Sequence, residues 1–180
     1  MTVILGLSLA LNLAQAFRIH ELNKSRPGAS DLASIQVGTT VSPAKARDTQ
    51  GRQAVISYDD VKQPVVLYVF TPQCPWCSRN LDNLRALVSQ KRDSYRFIGL
   101  SLTDDGLTEY LARNKLDLPV YVTPAEETKQ EYKLGNTPQT IVISPGGKVV
   151  QNWVGAYAGP KQAEVENFFG VKLPGLAPSP

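Results

Sequence analysis

The sequence predicts an α/β fold in which a central mixed sheet is flanked by helices. Three observations carry this. Apolar, strand-like runs alternate with helix-periodic segments from Val65 onward, and such alternation places a sheet between helical layers. Two late runs, Gln139 to Ser144 and Lys148 to Val154, are joined by Pro145-Gly146-Gly147, which reads as a tight antiparallel hairpin. The chain has 180 residues, 42% of them hydrophobic, with no internal repeat. That suits one domain with a full core.

The elements follow in order. Ser34 to Tyr58 holds short β-like runs around Asp48-Thr49-Gln50-Gly51, a hairpin pattern. Pro64 precedes VVLYVF at Val65 to Phe70, a continuous apolar run that fits a strand buried on both faces. After the loop Thr71-Pro72-Gln73, a helix is expected from Cys74 through Leu81, Leu84, Leu87 and Val88. Tyr95 to Leu102 reads as a second central strand. Asp104-Asp105-Gly106 is expected to cap a helix running through Tyr110 and Leu111. Pro119 to Val122 is a short strand, and Pro124 to Tyr132 a helix with Pro in its first turn. Gly135-Asn136-Thr137-Pro138 breaks the chain before the hairpin, and Lys161 to Phe169 is the last helix.

The two ends differ from this pattern. Met1 to Phe17 carries no charged side chain and is followed by Arg18, His20, Lys24 and Arg26. It has the length of a signal peptide, and Ala14-Gln15-Ala16 has the small-x-small form of a cleavage site. Residues 1–22 are read as a signal peptide or single N-terminal membrane anchor, and 23–33 as a linker. The domain then spans 34–172, outside the cytoplasm, and 173–180 is a disordered, Pro-rich tail.

Composition excludes several classes. The net charge of +3 is spread along the chain, with no dense cluster for phosphates, which argues against nucleic-acid binding. Two Cys are too few for a disulfide scaffold. One His and two Cys fall short of the four ligands of a structural zinc site. No metal or cofactor is expected.

The chemistry centres on Cys74-Pro75-Trp76-Cys77. Cys-x-x-Cys beside a βαβ pattern reads as a redox motif. A thiol at a helix N-terminus faces free N–H groups and the helix dipole, both of which favour an anion. Thiols so placed have pKa values lowered from about 8.5 into the range of roughly 3.5–7.5. The thiolate is the nucleophile, so Cys74 is the expected attacking residue. Cys77, nearly one turn later and deeper, is the expected resolving thiol. Pro75 suits the first helical turn, and Trp76 offers an apolar contact to a partner. The motif leaves the direction of electron flow open, since such pairs span about −270 to −120 mV.

VVLYVF, then CPWC, then a helix, then GNTPQTIVIS and the GGKVV hairpin resembles the thioredoxin superfamily. The early segment QVGTTVSPAKARDTQGRQAVISY and the inserted helix with LPVYV are similar to its redoxin group, the TlpA/ResA-type thiol–disulfide oxidoreductases and the peroxiredoxins (AhpC/TSA-like domains). The resemblance covers about Ile35 to Phe169. It implies a thioredoxin-like fold with an N-terminal β-hairpin extension and an inserted helix–strand. It also implies a cis Thr137-Pro138 step, with Thr137 and Pro138 forming a substrate edge together with Pro75 and Trp76. The implied partners are exported protein disulfides and an external dithiol electron donor.

Several positions depart from the family pattern. Gln73 stands where Trp often precedes the first Cys, Tyr68 where thioredoxin has a buried acid, and Asn80 where ResA-type proteins have a glutamate. The usual groups for moving the Cys77 proton are therefore absent, and Asp82 reads as a solvated helix residue. The alternative function is a peroxiredoxin-like thiol peroxidase. Against it, Pro72 lies only two residues before Cys74, unlike the Pro-x-x-x-Thr/Ser-x-x-Cys pattern of those enzymes. A Sco-type copper module would need CxxxC and a downstream His, and the sole His is His20. A non-catalytic module with two structural Cys is the remaining reading.

Overall fold

The structure is a computed structural model that describes residues 34–59 and 62–178, together with Gln15 and Arg18. The expected signal or anchor and the linker lie outside the described residues. Among the described residues, no helix is long and apolar enough to cross a membrane.

Among the described residues, seven strands and five helices make up the unit that begins at Ser34. In chain order they are β1 (Ala44–Asp48), β2 (Gln53–Ile56), β3 (Val65–Phe70), α1 (Pro75–Arg79), α2 (Leu81–Lys91), β4 (Arg96–Ser101), α3 (Leu107–Asn114), β5 (Val120–Val122), α4 (Glu126–Glu131), β6 (Gln139–Ile143), β7 (Val149–Val154) and α5 (Pro160–Phe169). The sheet order is β2-β1-β5-β4-β3-β6-β7. Strands β3, β4 and β5 run parallel, and β6, β7, β1 and β2 add antiparallel pairs at the two sides. This is the expected mixed sheet with its N-terminal hairpin, and Asp48 turns that hairpin by accepting from the Gln50 and Arg52 amides at 2.9 Å each.

Strand β3 is central, paired to β4 on one side and β6 on the other, and all six of its residues are buried. Its alternate side chains feed two cores. Val66, Tyr68 and Phe70 pack with Cys77, Leu84 and Leu87 of the first two helices and with Val165 and Phe169 of α5. Val65, Leu67 and Val69 pack on the opposite face with Ile35, Ile56, Tyr58 and Tyr132. A strand covered on both faces needs an unbroken apolar run, which is why VVLYVF does not alternate with polar residues.

Three expectations are corrected. The helix after the motif is two helices that meet at Asn80, whose side-chain oxygen accepts from Asn83 and the Tyr157 N–H and makes no cap. Helix α3 begins at Gly106 in a left-handed conformation (φ 66°) with no side-chain cap, so Asp104 and Asp105 do not cap it. The C-terminal segment is not frayed over its whole length. Leu173 is buried, and Gly175 and Ala177 hydrogen-bond to the first two helices.

Candidate active site

The site begins where β3 ends at the C-terminal edge of the parallel strands. The Cys74 N–H donates to the Thr71 carbonyl at 3.2 Å, closing the turn that carries the chain from strand to helix. Cys74 is the N-cap of α1, with extended backbone (φ −74°, ψ 114°). Its Sγ accepts the Cys77 N–H at 3.2 Å, so the sulfur takes the place of the usual capping oxygen. Pro75 holds the first helical position, where a missing N–H costs nothing. The half-buried Cys74 and the fully buried Cys77 are both free thiols.

The Thr137-Pro138 bond is cis, and the Cys74 thiol donates to the Thr137 carbonyl at 3.4 Å. Residues 63 positions apart in the sequence thus form one surface. Pro138 is buried and its carbonyl accepts the Gly155 N–H at 2.6 Å, which ties this loop to the end of β7. Trp76 is 51% exposed, with the Arg79 guanidinium 4.7 Å from its ring centroid. The six residues singled out from the sequence therefore lie on two adjoining segments: Cys74, Pro75, Trp76 and Cys77 at the N-cap and in the first turn of α1, Thr137 and Pro138 in the loop before β6.

The two thiols differ in setting. Burial pushes the Cys77 thiol well above its ordinary range, and Cys74 adds to the rise, while the Thr71 and Thr137 contacts oppose it. Among the described residues, the groups that bear most on Cys77 are Cys74, Thr71 and Thr137, none of them an acid. Behind it lies a polar pocket of neutral groups. Asn80 and Asn83 are fully buried, and Asn80 Oδ1 accepts from Asn83 Nδ2 at 3.1 Å and from the Tyr157 N–H at 3.0 Å. With its oxygen used twice, the Asn80 amide is fixed in orientation. Its Nδ2 and the hydroxyls of Tyr68 and Tyr110 are buried without a hydrogen bond of ordinary geometry. Burial raises both phenols, Tyr68 well above its ordinary value, with Cys77 adding to each rise and the Asn80 amide opposing that of Tyr68.

Gln73 turns away from the thiols, donating to the Asp105 carbonyl at 2.8 Å. Asp82 pairs with Arg85 at 2.8 Å on the exposed face of α2, as a solvated residue would. A groove of about 500 Å³ lined by Pro72, Gln73, Ser78, Glu109, Tyr110 and Arg113 borders the Cys74 turn on the α3 side. Sequence reasoning missed Arg79, Asn83, Tyr110 and Tyr157. The three-residue spacing of Asn80 and Asn83 was the one usable signal, since it puts two amides on one helical face.

The fold is shared with known structures. The thioredoxin domain of a thiol–disulfide oxidoreductase from Bacteroides vulgatus superposes with a TM-score of 0.62 at 17% identity, covering 76% of this chain and 99% of that one. StoA from Bacillus subtilis gives 0.56 at 18%, covering 72% and 99%. A thiol:disulfide interchange protein from Bacteroides sp. gives 0.58 at 18%, covering 76% and 91%. At these identities the likeness is one of fold, and the fold is thioredoxin-like. No curated protein sequence matches the chain. The AhpC/TSA family profile matches residues 37–152. That stretch is more than half of the chain, and the protein belongs to the AhpC/TSA family.

Proposed function

We propose that this protein is a thiol–disulfide oxidoreductase in which Cys74 is the nucleophile and Cys77 the resolving thiol. The observation that carries the reading is the unequal placement of the two sulfurs. Cys74 is reachable and lies against the Thr137 carbonyl, while Cys77 is buried behind it with its N–H on the Cys74 sulfur.

In the reducing direction the Cys74 thiolate attacks one sulfur of a substrate disulfide. A Cys74–substrate bond forms, the substrate S–S bond breaks, and one substrate sulfur leaves as thiolate. Cys77 then loses its proton and attacks Cys74 Sγ. The Cys74–Cys77 disulfide forms, and the second substrate sulfur leaves and is protonated. Two electrons have passed from the protein to the substrate. An external dithiol resets the pair by the reverse exchange. With no acid beside Cys77, its proton passes to water or to the leaving thiolate. Burial keeps Cys77 protonated, so the more accessible Cys74 thiol reacts first. Pro75, Trp76, Thr137 and Pro138 frame the approach, with the Thr137 backbone edge suited to an extended substrate segment.

The test is insulin reduction by the dithiol form. Cys74→Ser abolishes it, and Cys77→Ser stops after one step with a trapped mixed disulfide at Cys74. Undiminished turnover in either variant sinks the reading. The exported setting of the substrates belongs to the same proposal, and a C-terminal fusion reporter tests it.

Two observations favour a second reading, a thiol peroxidase. The chain belongs to the AhpC/TSA family, and Thr71 stands three residues before Cys74, where peroxiredoxins carry Thr or Ser. Leu67 stands where their pattern has Pro. Rapid peroxide consumption by the reduced protein, lost in Cys74→Ser, would establish it.

A further inference from the structure

The break at Asn80 is where the C-terminal segment meets the active-site helix. The Ala177 N–H donates to the Arg79 carbonyl at 2.9 Å, and Arg79 Nε donates back to the Ala177 carbonyl at 2.9 Å. Two residues earlier, the Gly175 N–H donates to Asn83 Oδ1 at 2.8 Å. Three hydrogen bonds thus fasten residues 175–177 along the first two helices, with the buried Leu173 anchoring the approach.

The far end of Arg79 has a different partner. Its guanidinium lies 4.7 Å from the centroid of the Trp76 ring, within the reach of a cation–π contact. Trp76 sits between the two cysteines and is half-exposed. With half of its surface open to solvent, the indole gains from a neighbour that holds one face. Arg79, tied at Nε to Ala177, supplies a fixed flank.

We propose that Gly175–Ala177 is a strap that positions Trp76 through Arg79, and that this contact makes the site selective for protein disulfides over small ones. The proposal rests on the thiol–disulfide exchange reading. A small disulfide needs only Cys74 and the Thr137 edge. A protein substrate also spreads over the surface around Cys74, where a fixed indole offers a large apolar contact at low entropic cost. Arg79 is a positioning residue, since it acts through Trp76.

The experiment compares the full chain with three variants: a chain ended after Pro174, Arg79→Ala and Arg79→Lys. Second-order rate constants are measured for oxidation of each reduced protein by insulin and by bis(2-hydroxyethyl) disulfide. Loss of the strap or of Arg79 lowers the insulin constant about three- to tenfold, as expected for a contact of cation–π strength. The small disulfide reacts at an unchanged rate. Arg79→Lys keeps a cation and retains part of the selectivity. A second readout uses no substrate: acrylamide quenching of Trp76 rises in the truncated and Arg79→Ala proteins, while the buried Trp153 stays protected.

An equal fall with both substrates overturns the proposal, as does unchanged quenching with a lowered melting temperature, because either result makes the strap merely structural. If the truncated chain fails to fold, the two Arg79 variants decide. If neither disulfide oxidises the intact protein, the exchange reading fails, and quenching alone still judges whether the strap positions Trp76.

Discussion

The side-chain amide of Asn83 donates to Asn80 Oδ1 at 3.1 Å, joining the two helices that meet behind Cys77. Asn83 also donates to the Tyr157 carbonyl at 3.3 Å and accepts the Gly175 N–H at 2.8 Å. One buried side chain therefore holds three segments. Asn83→Ala leaves these partners unsatisfied and is expected to cost about 2–4 kcal/mol in urea unfolding. Asn83→Asp does not rescue it, since a carboxylate oxygen would then face Asn80 Oδ1. A loss under about 0.5 kcal/mol would mean that water replaces the amide.

The two thiols differ in reactivity. At pH 7.5, iodoacetamide is expected to modify Cys74 in the Cys77→Ser variant. The buried Cys77 of the Cys74→Ser variant reacts on the order of 100-fold more slowly. Because its pKa is raised chiefly by burial, the Cys77 rate keeps climbing past pH 9 instead of levelling off. Mass spectrometry of timed samples reads both rates, and equal rates at pH 7.5 would remove the basis for unequal roles.

Tyr68 and Tyr157 present the same substitution with opposite expected signs. The Tyr68 hydroxyl is buried with no hydrogen bond of ordinary geometry, so Tyr68→Phe is neutral or stabilising by up to about 1 kcal/mol. The Tyr157 hydroxyl bonds Thr140 Oγ1 at 2.6 Å in a fully buried setting. Tyr157→Phe strands the threonine and costs about 1–3 kcal/mol. Thermal melts of the two variants check the order, and matching losses would contradict it.

Alkali is expected to unfold this protein steeply. Burial raises the pKa of Cys77, Tyr58, Tyr68, Tyr110, Tyr132 and Tyr157, that of Tyr58 to about 12. The unfolded chain then loses these protons at lower pH than the folded one. The contribution of Cys77 is whole below its ordinary value of 9.0. That of Tyr58 is whole below 10.0 and lost as pH rises to about 12. Each group takes stability down by on the order of 1 kcal/mol per pH unit within its window. Denaturant midpoints measured from pH 7 to 11 would stay level if these groups did not stay neutral in the fold.

Gly147 closes the last hairpin at φ 81°, and a Cβ there would stand 2.6 Å from the Val41 carbonyl oxygen. Gly147→Ala meets both the left-handed penalty and a backbone clash, and is expected to cost about 2 kcal/mol or more. Gly146 has a similar φ of 82° with open space around it. Gly146→Asn should therefore cost less than about 1 kcal/mol. Equal losses in chemical denaturation would show that the clash is relieved by a shift of the Val41 loop.

Much of the fold was legible because its signals are local. An unbroken VVLYVF announces a strand covered on both faces, and Pro-Gly-Gly between two apolar runs announces a hairpin. Cys-x-x-Cys after such a strand places two sulfurs at the start of a helix whatever lies elsewhere. The family pattern extended this to Thr137-Pro138, and the structure brings that step against Cys74. What the tertiary structure alone decided depends on distant partners. The helix breaks at Asn80, whose side-chain oxygen is claimed by Tyr157, 77 residues away. The segment at Ala177 is held by Arg79, 98 residues away, although its composition reads as a loose tail. Helix α3 starts at a left-handed glycine and not at the neighbouring aspartates. Local propensity is written in a few consecutive residues, whereas burial, and with it the partner each polar group finds, exists only once the chain has closed on itself.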